Sequence, residues 1–345
     1  MTHQRMLRNP VARAARKVAQ SLLADARSAR TSLLDSDRHG QIVTDEALHD
    51  FRVAARRLRS WQRAFTPWLG KAASRKMRRR LRTIARASGA SRDTAVQLAW
   101  LTQQRRTMSA RQRSGVDCLI AYLKERQPSY TFESLTAAHD FHSLSAKLGR
   151  RLERSGKATR ARSAADQHRF GVVAARLVRQ ASRALRQRLS SVHTASDETA
   201  AHKARIAAKS LRYLMEPIVR AHDESRRSDG ERLIEQLKQL QDLLGDLHDA
   251  HVLALIVVDA EPSPGILGIA RRLRGRRMRG FAAIEADWRG DSAAPFFHDL
   301  RSFCGELVRS INRRRSRRPT RSAFGGMDAP CWTRHRCDEL TPSAE

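Results

Sequence analysis

Two stretches of the chain repeat the same cationic spacing. Residues 48–59 read Leu-His-Asp-Phe-Arg-Val-Ala-Ala-Arg-Arg-Leu-Arg, and residues 201–212 read Ala-His-Lys-Ala-Arg-Ile-Ala-Ala-Lys-Ser-Leu-Arg. His49, Arg52, Arg56 and Arg59 correspond in order to His202, Arg205, Lys209 and Arg212. On a helix turning about 100° per residue, the first four fall within an arc of about 80°, and so do their counterparts. Arg63 extends the first set, while Phe51, Ala54, Ala55, Leu58, Trp61 and Phe65 take the opposite side. In the second copy Ala204, Ala207, Leu211, Leu214 and Ile218 form the apolar side. Arginine grips phosphate-like oxygens bidentately through its planar fork. Histidine adds a donor, expected here to be partly charged near neutral pH and to gain charge as pH falls. Cations one helical turn apart repel one another by a few tenths of a kcal/mol per exposed pair. A solvated face usually mixes signs to avoid that cost, so one sign kept twice in the same register points to a bound anion.

A second pair of blocks follows at nearly matched separation. Leu81 to Asp93 reads L-R-T-I-A-R-A-S-G-A-S-R-D, and Leu237 to Asp249 reads L-K-Q-L-Q-D-L-L-G-D-L-H-D. Arg82 and Lys238 join the candidate anion ligands on this basis. Gly89 and Gly245 read as breaks between helices, and Asp93 and Asp249 as capping groups near the helix starts that follow. Two ordered blocks at matched spacing indicate an internal duplication with halves of roughly 150 residues. Ser210 stands where the first copy has Arg57, and Glu216 where it has Arg63, so the second basic face is shorter.

These side chains need helices to hold them, and the apolar periodicity is helical throughout, with no alternating strand runs. Helices are expected near 10–35, 45–66, 72–87, 92–107, 110–126 and 133–153, then 168–190, 197–221, 228–244, 247–259, 264–286 and 295–313. From residue 314 to 345 the chain is rich in Arg, Ser, Pro and Gly, loses periodicity and reads as a disordered basic tail. Arg5 to Arg30 reads as an ordinary amphipathic first helix, although an arginine-rich start can imitate a transit peptide. No apolar run has the length of a membrane span, so no membrane insertion is expected.

Lys and Arg number 67 against 35 Asp and Glu, a formal net charge of +32, which calls for an anionic partner: nucleic acid, an anionic membrane surface or a polyphosphate-like chain. Aromatic residues at 5% are few for a protein that stacks on single-stranded bases. Trp61, Trp68, Trp100 and Trp288 read as core or interface residues. Cys118, Cys304, Cys331 and Cys337 suggest no disulfide framework, and a reducing compartment follows. Cys331, His335 and Cys337 could be written as a metal cluster but have no fourth partner nearby, so no metal and no cofactor is expected.

The doubled His-x-x-Arg-[Val/Ile]-x-x-[Arg/Lys]-x-x-Arg helix, each followed by a Leu-[Arg/Lys] segment with Gly-x-x-x-Asp, resembles the CHAD family of conserved-histidine α-helical domains over residues 5–310. The resemblance implies an all-α fold of two pseudo-twofold-related helical-bundle repeats, about 5–155 and 156–310, around a central basic groove or channel. It also implies a non-enzymatic, cytoplasmic protein that binds inorganic polyphosphate, often at polyphosphate granules. The residues carried over are His49, Arg52, Arg56, Arg59, His202, Arg205, Lys209 and Arg212, with Arg82 and Lys238 as additions. Some relatives are fused to a CYTH triphosphatase; its Glu-x-Glu-x-Lys motif is missing here, so a stand-alone CHAD protein is expected. Two readings compete. Non-specific nucleic-acid binding uses the same electrostatics, although no recognition helix, zinc finger or RNA-binding motif is present. A metal-dependent phosphohydrolase would need clustered ligands, for which His248 and His251 near Asp246 and Asp249 are the best candidates.

Overall fold

The computed structural model describes residues 4–38, 45–87, 90–158, 168–222 and 224–312. The basic tail at 314–345, the Cys331–His335–Cys337 group and Gly89 lie outside the described residues. Within them the chain is all-α: twelve α-helices and a 3₁₀ helix at Gly70–Ala73, with no strand. In order they are α1 (Gln4–Arg8), α2 (Val11–Arg38), α3 (Asp45–Ala64), α4 (Thr66–Leu69), α5 (Arg75–Ala87), α6 (Ala90–Arg106), α7 (Ala110–Ala158), α8 (Phe170–Ser190), α9 (Glu198–Arg220), α10 (Glu224–Val258), α11 (Pro264–Trp288) and α12 (Ala294–Asn312).

The apolar sides of α3 and α9 are buried as their spacing predicts. Phe51, Leu58, Trp61 and Phe65 have no solvent exposure, nor do Ala204, Leu211 and Ile218. Side chains of both helices belong to one hydrophobic core, whose members range from Leu7 to Leu307. Trp61 is anchored by its indole Nε1, which donates to the Ala15 carbonyl at 2.9 Å. Trp61 and Trp288 are core residues, whereas Trp68 and Trp100 are half-buried at the edges of packed clusters. Helix α3 packs on α2 and α5, α9 packs on α8 and α10, and α3 and α9 meet each other. The entries to α2 and α8 are tied together: Val11 N donates to His168 O at 3.0 Å and Phe170 N to Asn9 O at 2.9 Å.

Two expected helix breaks do not exist. Segments 110–126 and 133–153 are parts of one 49-residue helix, α7. Its first part packs Val116, Leu119 and Leu123 into a second apolar cluster with α10 and α11, and its last part packs Phe141, Leu144, Leu148 and Leu152 into the main core. Glycines set the approach of α7 to α11: a Cβ on Gly115 would strike Ser263, and one on Gly265 would strike the Gln112 carbonyl.

Helix α10 likewise runs without interruption through Gly245 for 35 residues. A mid-helix glycine costs about 1 kcal/mol relative to alanine. Leu237, Leu240, Leu244, Leu247, Ala250, Leu253 and Val257, each at most 5% exposed, form a continuous seam that outweighs it. Asp249 therefore sits mid-helix and not near a helix start, contrary to the sequence reading. The matching place in the first copy, Gly89, lies outside the described residues; α5 is described to Ala87 and α6 from Ala90, with Asp93 in its first turn. No helix among the described residues is long and apolar enough to cross a membrane.

Candidate functional site

With their apolar sides in the core, α3 and α9 turn basic side chains toward a shared, partly open cavity of about 550 Å³. His49, Arg52 and Arg56 line it from α3, and Arg205, Lys209 and Arg212 from α9. Six of the ten sequence candidates thus surround one space. Arg52 is only 6% exposed. Arg205 lies along the α10 backbone, its Nε 3.8 Å from where a Cβ on Gly245 would stand. That Nε is buried and makes no hydrogen bond within the protein, which suits it to an acceptor supplied by a ligand.

The other four candidates lie elsewhere. Arg59 is drawn below the ordinary arginine range by burial first, then by the charges of Arg56, Arg63, Arg82 and Arg86. Arg59 on α3 and Arg82 on α5 therefore stand near enough to feel each other's charge, and Arg56, which acts on Arg59 in the same way, also lines the cavity. His202 packs its ring on His248 of α10, centroids 4.8 Å apart. Lys238 is exposed, pairs with Glu235 at 2.6 Å and does not line the cavity. Its register in the repeat places it on α10, but on the face turned to solvent.

Burial, then the charges of Arg205 and Lys209, hold the His202 imidazole below its ordinary value, against the smaller upward pull of Glu198. His202 therefore carries less charge near neutral pH than its type alone would give. His251 is also held down, by burial first and then by Arg277. Among the described residues no group of three or more His, Cys, Asp or Glu is placed to hold a metal ion, and the His248–His251 candidates form no such group.

Two features of the site escape a reading of the basic helices alone. The departures from the repeat are linked: Glu216, which replaces a cation in the second copy, accepts an ion pair from Arg57 Nε at 2.8 Å across the α3–α9 contact. Its other oxygen lies 3.6 Å from Arg212 Nε. The carboxylate thus separates two guanidiniums at the junction of the two helices. The second feature is acidic. Helix α10 closes the cavity with Asp242, Asp246 and Asp249, and Asp246 also pairs with Arg276 of α11 at 3.0 Å. The i, i+4, i+7 spacing of these aspartates puts them on one face. That face was hidden by the expected break at Gly245. The cavity therefore has two cationic walls and one anionic wall.

The sequence signature of the CHAD domain matches residues 18–257. The crystal structure of the CHAD domain from the plant Ricinus communis superposes with a TM-score of 0.60 at 18% identity, covering 87% of this chain and 93% of that one. At that identity the likeness concerns the fold. No curated protein matches the chain.

Proposed function

The chain belongs to the CHAD-domain family, and from that premise we propose that it is a non-enzymatic module that binds inorganic polyphosphate between two repeats of one basic helix. One observation carries the proposal: His49, Arg52, Arg56, Arg205, Lys209 and Arg212 converge on one cavity from two helices. A phosphate chain lying between α3 and α9 takes charge-assisted hydrogen bonds from both sides and releases the counterions they hold. The aspartate wall of α10 offsets arginine repulsion when the ligand is absent and confines it to the α3–α9 side when present. The charges of Arg63, Arg82 and Arg86 that act on Arg59 extend the attraction beyond the cavity, so affinity rises with chain length until these cations are also engaged. The module would hold the protein at polyphosphate granules.

Inorganic polyphosphate fits better than a duplex. A single flexible chain can follow a curved cavity, whereas duplex DNA is stiff over many base pairs and would touch only the cavity rim. The test is fluorescence anisotropy of labelled long-chain polyphosphate at two salt concentrations, with duplex DNA competing at equal phosphate. Contact with about six cations predicts a loss of roughly three-hundredfold or more between 50 and 200 mM salt, and poor competition by DNA. Displacement by DNA as effective as by unlabelled polyphosphate would replace this reading with non-specific nucleic-acid binding.

His202 supplies a pH signature. Its depressed value leaves it neutral above the ordinary value of 6.5. A phosphate chain on Arg205 and Lys209 cancels their charge, raises the His202 pKa and favours proton uptake. Polyphosphate affinity will therefore increase as pH falls through and below the ordinary value. Calorimetry in buffers of different ionisation enthalpy should show proton uptake at mildly acidic pH, reduced in His202→Gln. Equal uptake by the two proteins would remove His202 from the site.

A further inference from the structure

A second basic cleft lies between α8 and α12. Arg176, Arg179, Arg183 and Arg186 recur along α8 at the same three-, four- and three-residue steps as the cationic set of α3. The last three, with Arg301 of α12, rim a cavity of about 470 Å³ that shares no lining residue with the central one. Its floor is apolar, formed by Phe297, Leu300 and Cys304, each at most 4% exposed. Burial pushes the Cys304 thiol up to about 11, so it stays protonated and belongs to the floor. The Arg186 guanidinium carbon stands over the Phe297 ring, 5.7 Å from its centroid, at one side of the cleft.

Charge and shape together narrow the ligand. Among the described residues no carboxylate lines this cleft and none of its four arginines is ion-paired. Four guanidiniums suit a multiply charged anion; a monocarboxylate would leave most of them unmatched. A bare phosphate chain would satisfy the rim but leave the apolar floor against a strongly hydrated ligand. An organic body bearing a ring covers that floor, against the Phe297 ring and beside the Arg186 guanidinium. The volume lies within the range of small-molecule pockets. We propose that this cleft binds organic di- and triphosphates, compounds in which a chain of phosphoryl groups is attached to an apolar, ring-bearing body, as in nucleoside triphosphates.

The test is calorimetric titration of the full chain with ATP and with inorganic triphosphate, at about 0.15 M salt to screen exposed charges. ATP should bind saturably and at least tenfold more tightly than inorganic triphosphate. Arg183 and Arg301 are exposed, so Arg183→Ala/Arg301→Ala should keep its thermal melt while ATP binding weakens about a hundredfold, roughly tenfold for each guanidinium removed. Long-chain polyphosphate affinity should stay within about twofold, because the central cavity is untouched. The central variant Arg56→Glu/Lys209→Glu should retain ATP binding, which separates failure of this proposal from failure of the polyphosphate reading. Equal affinity for ATP and inorganic triphosphate would overturn the proposal, as would ATP binding that survives the α8–α12 substitutions or vanishes with the central ones.

Discussion

Replacing Arg56 and Lys209 together by glutamate will weaken long-chain polyphosphate binding by about a thousandfold. Each substitution removes a charge-assisted hydrogen bond worth about 1.5–3 kcal/mol and places a carboxylate where phosphate oxygens would lie. Two such losses come to about 3–6 kcal/mol, and every 1.4 kcal/mol is roughly a factor of ten in affinity. Both side chains are half-buried on opposite walls of the cavity, outside the apolar seams of α3 and α9. Circular dichroism should therefore report unchanged helical content. The weakened variant should also show a shallower dependence of affinity on salt, because fewer counterions are released. Binding that stays within tenfold of the unaltered protein would show that the phosphate chain is held elsewhere.

Glu216→Gln will move two quantities in opposite directions. Glu216 is 8% exposed and stands between Arg57 and Arg212. Neutralising it leaves two guanidiniums close together without the carboxylate charge between them. Loss of one partner from a fully buried pair costs about 3–5 kcal/mol. Arg57 is one-third exposed, so screening by water brings the expected loss of stability to about 2 kcal/mol. The same change raises the positive potential of the cavity, so polyphosphate should bind several-fold more tightly. Chemical denaturation and ligand titration on the same sample check both. Adding Arg57→Ser, which places the second copy's residue in the first, should recover much of the lost stability. Additive losses in that double variant would mean that the Arg57–Glu216 contact contributes little.

The helical periodicity made most of the fold legible in advance. Side-chain direction on a helix follows from residue number. His49, Arg52, Arg56 and Arg59 could therefore be placed on one face, with Phe51, Leu58 and Trp61 opposite, before any packing was known. Helix ends were less legible. Gly245 looked like a break because glycine is a poor helix former, yet the leucine seam on both sides of it outweighs that local cost. The mistaken break concealed the alignment of Asp242, Asp246 and Asp249. Lys238 marks another limit: a matching position in a repeat gives a helix and a register, but not which neighbour covers that face.

By itself the sequence determined an all-α chain carrying a twice-repeated basic helix, because both properties depend on local spacing. Only the tertiary structure decided that α3 and α9 face one another across a cavity, that α10 lines it with carboxylates, and that Glu216 reaches Arg57. It also decided that the His202 pKa is lowered, since burial and the fields of Arg205 and Lys209 act through space. Each of these depends on residues far apart in the chain, whose distances are set when apolar seams close into a common core.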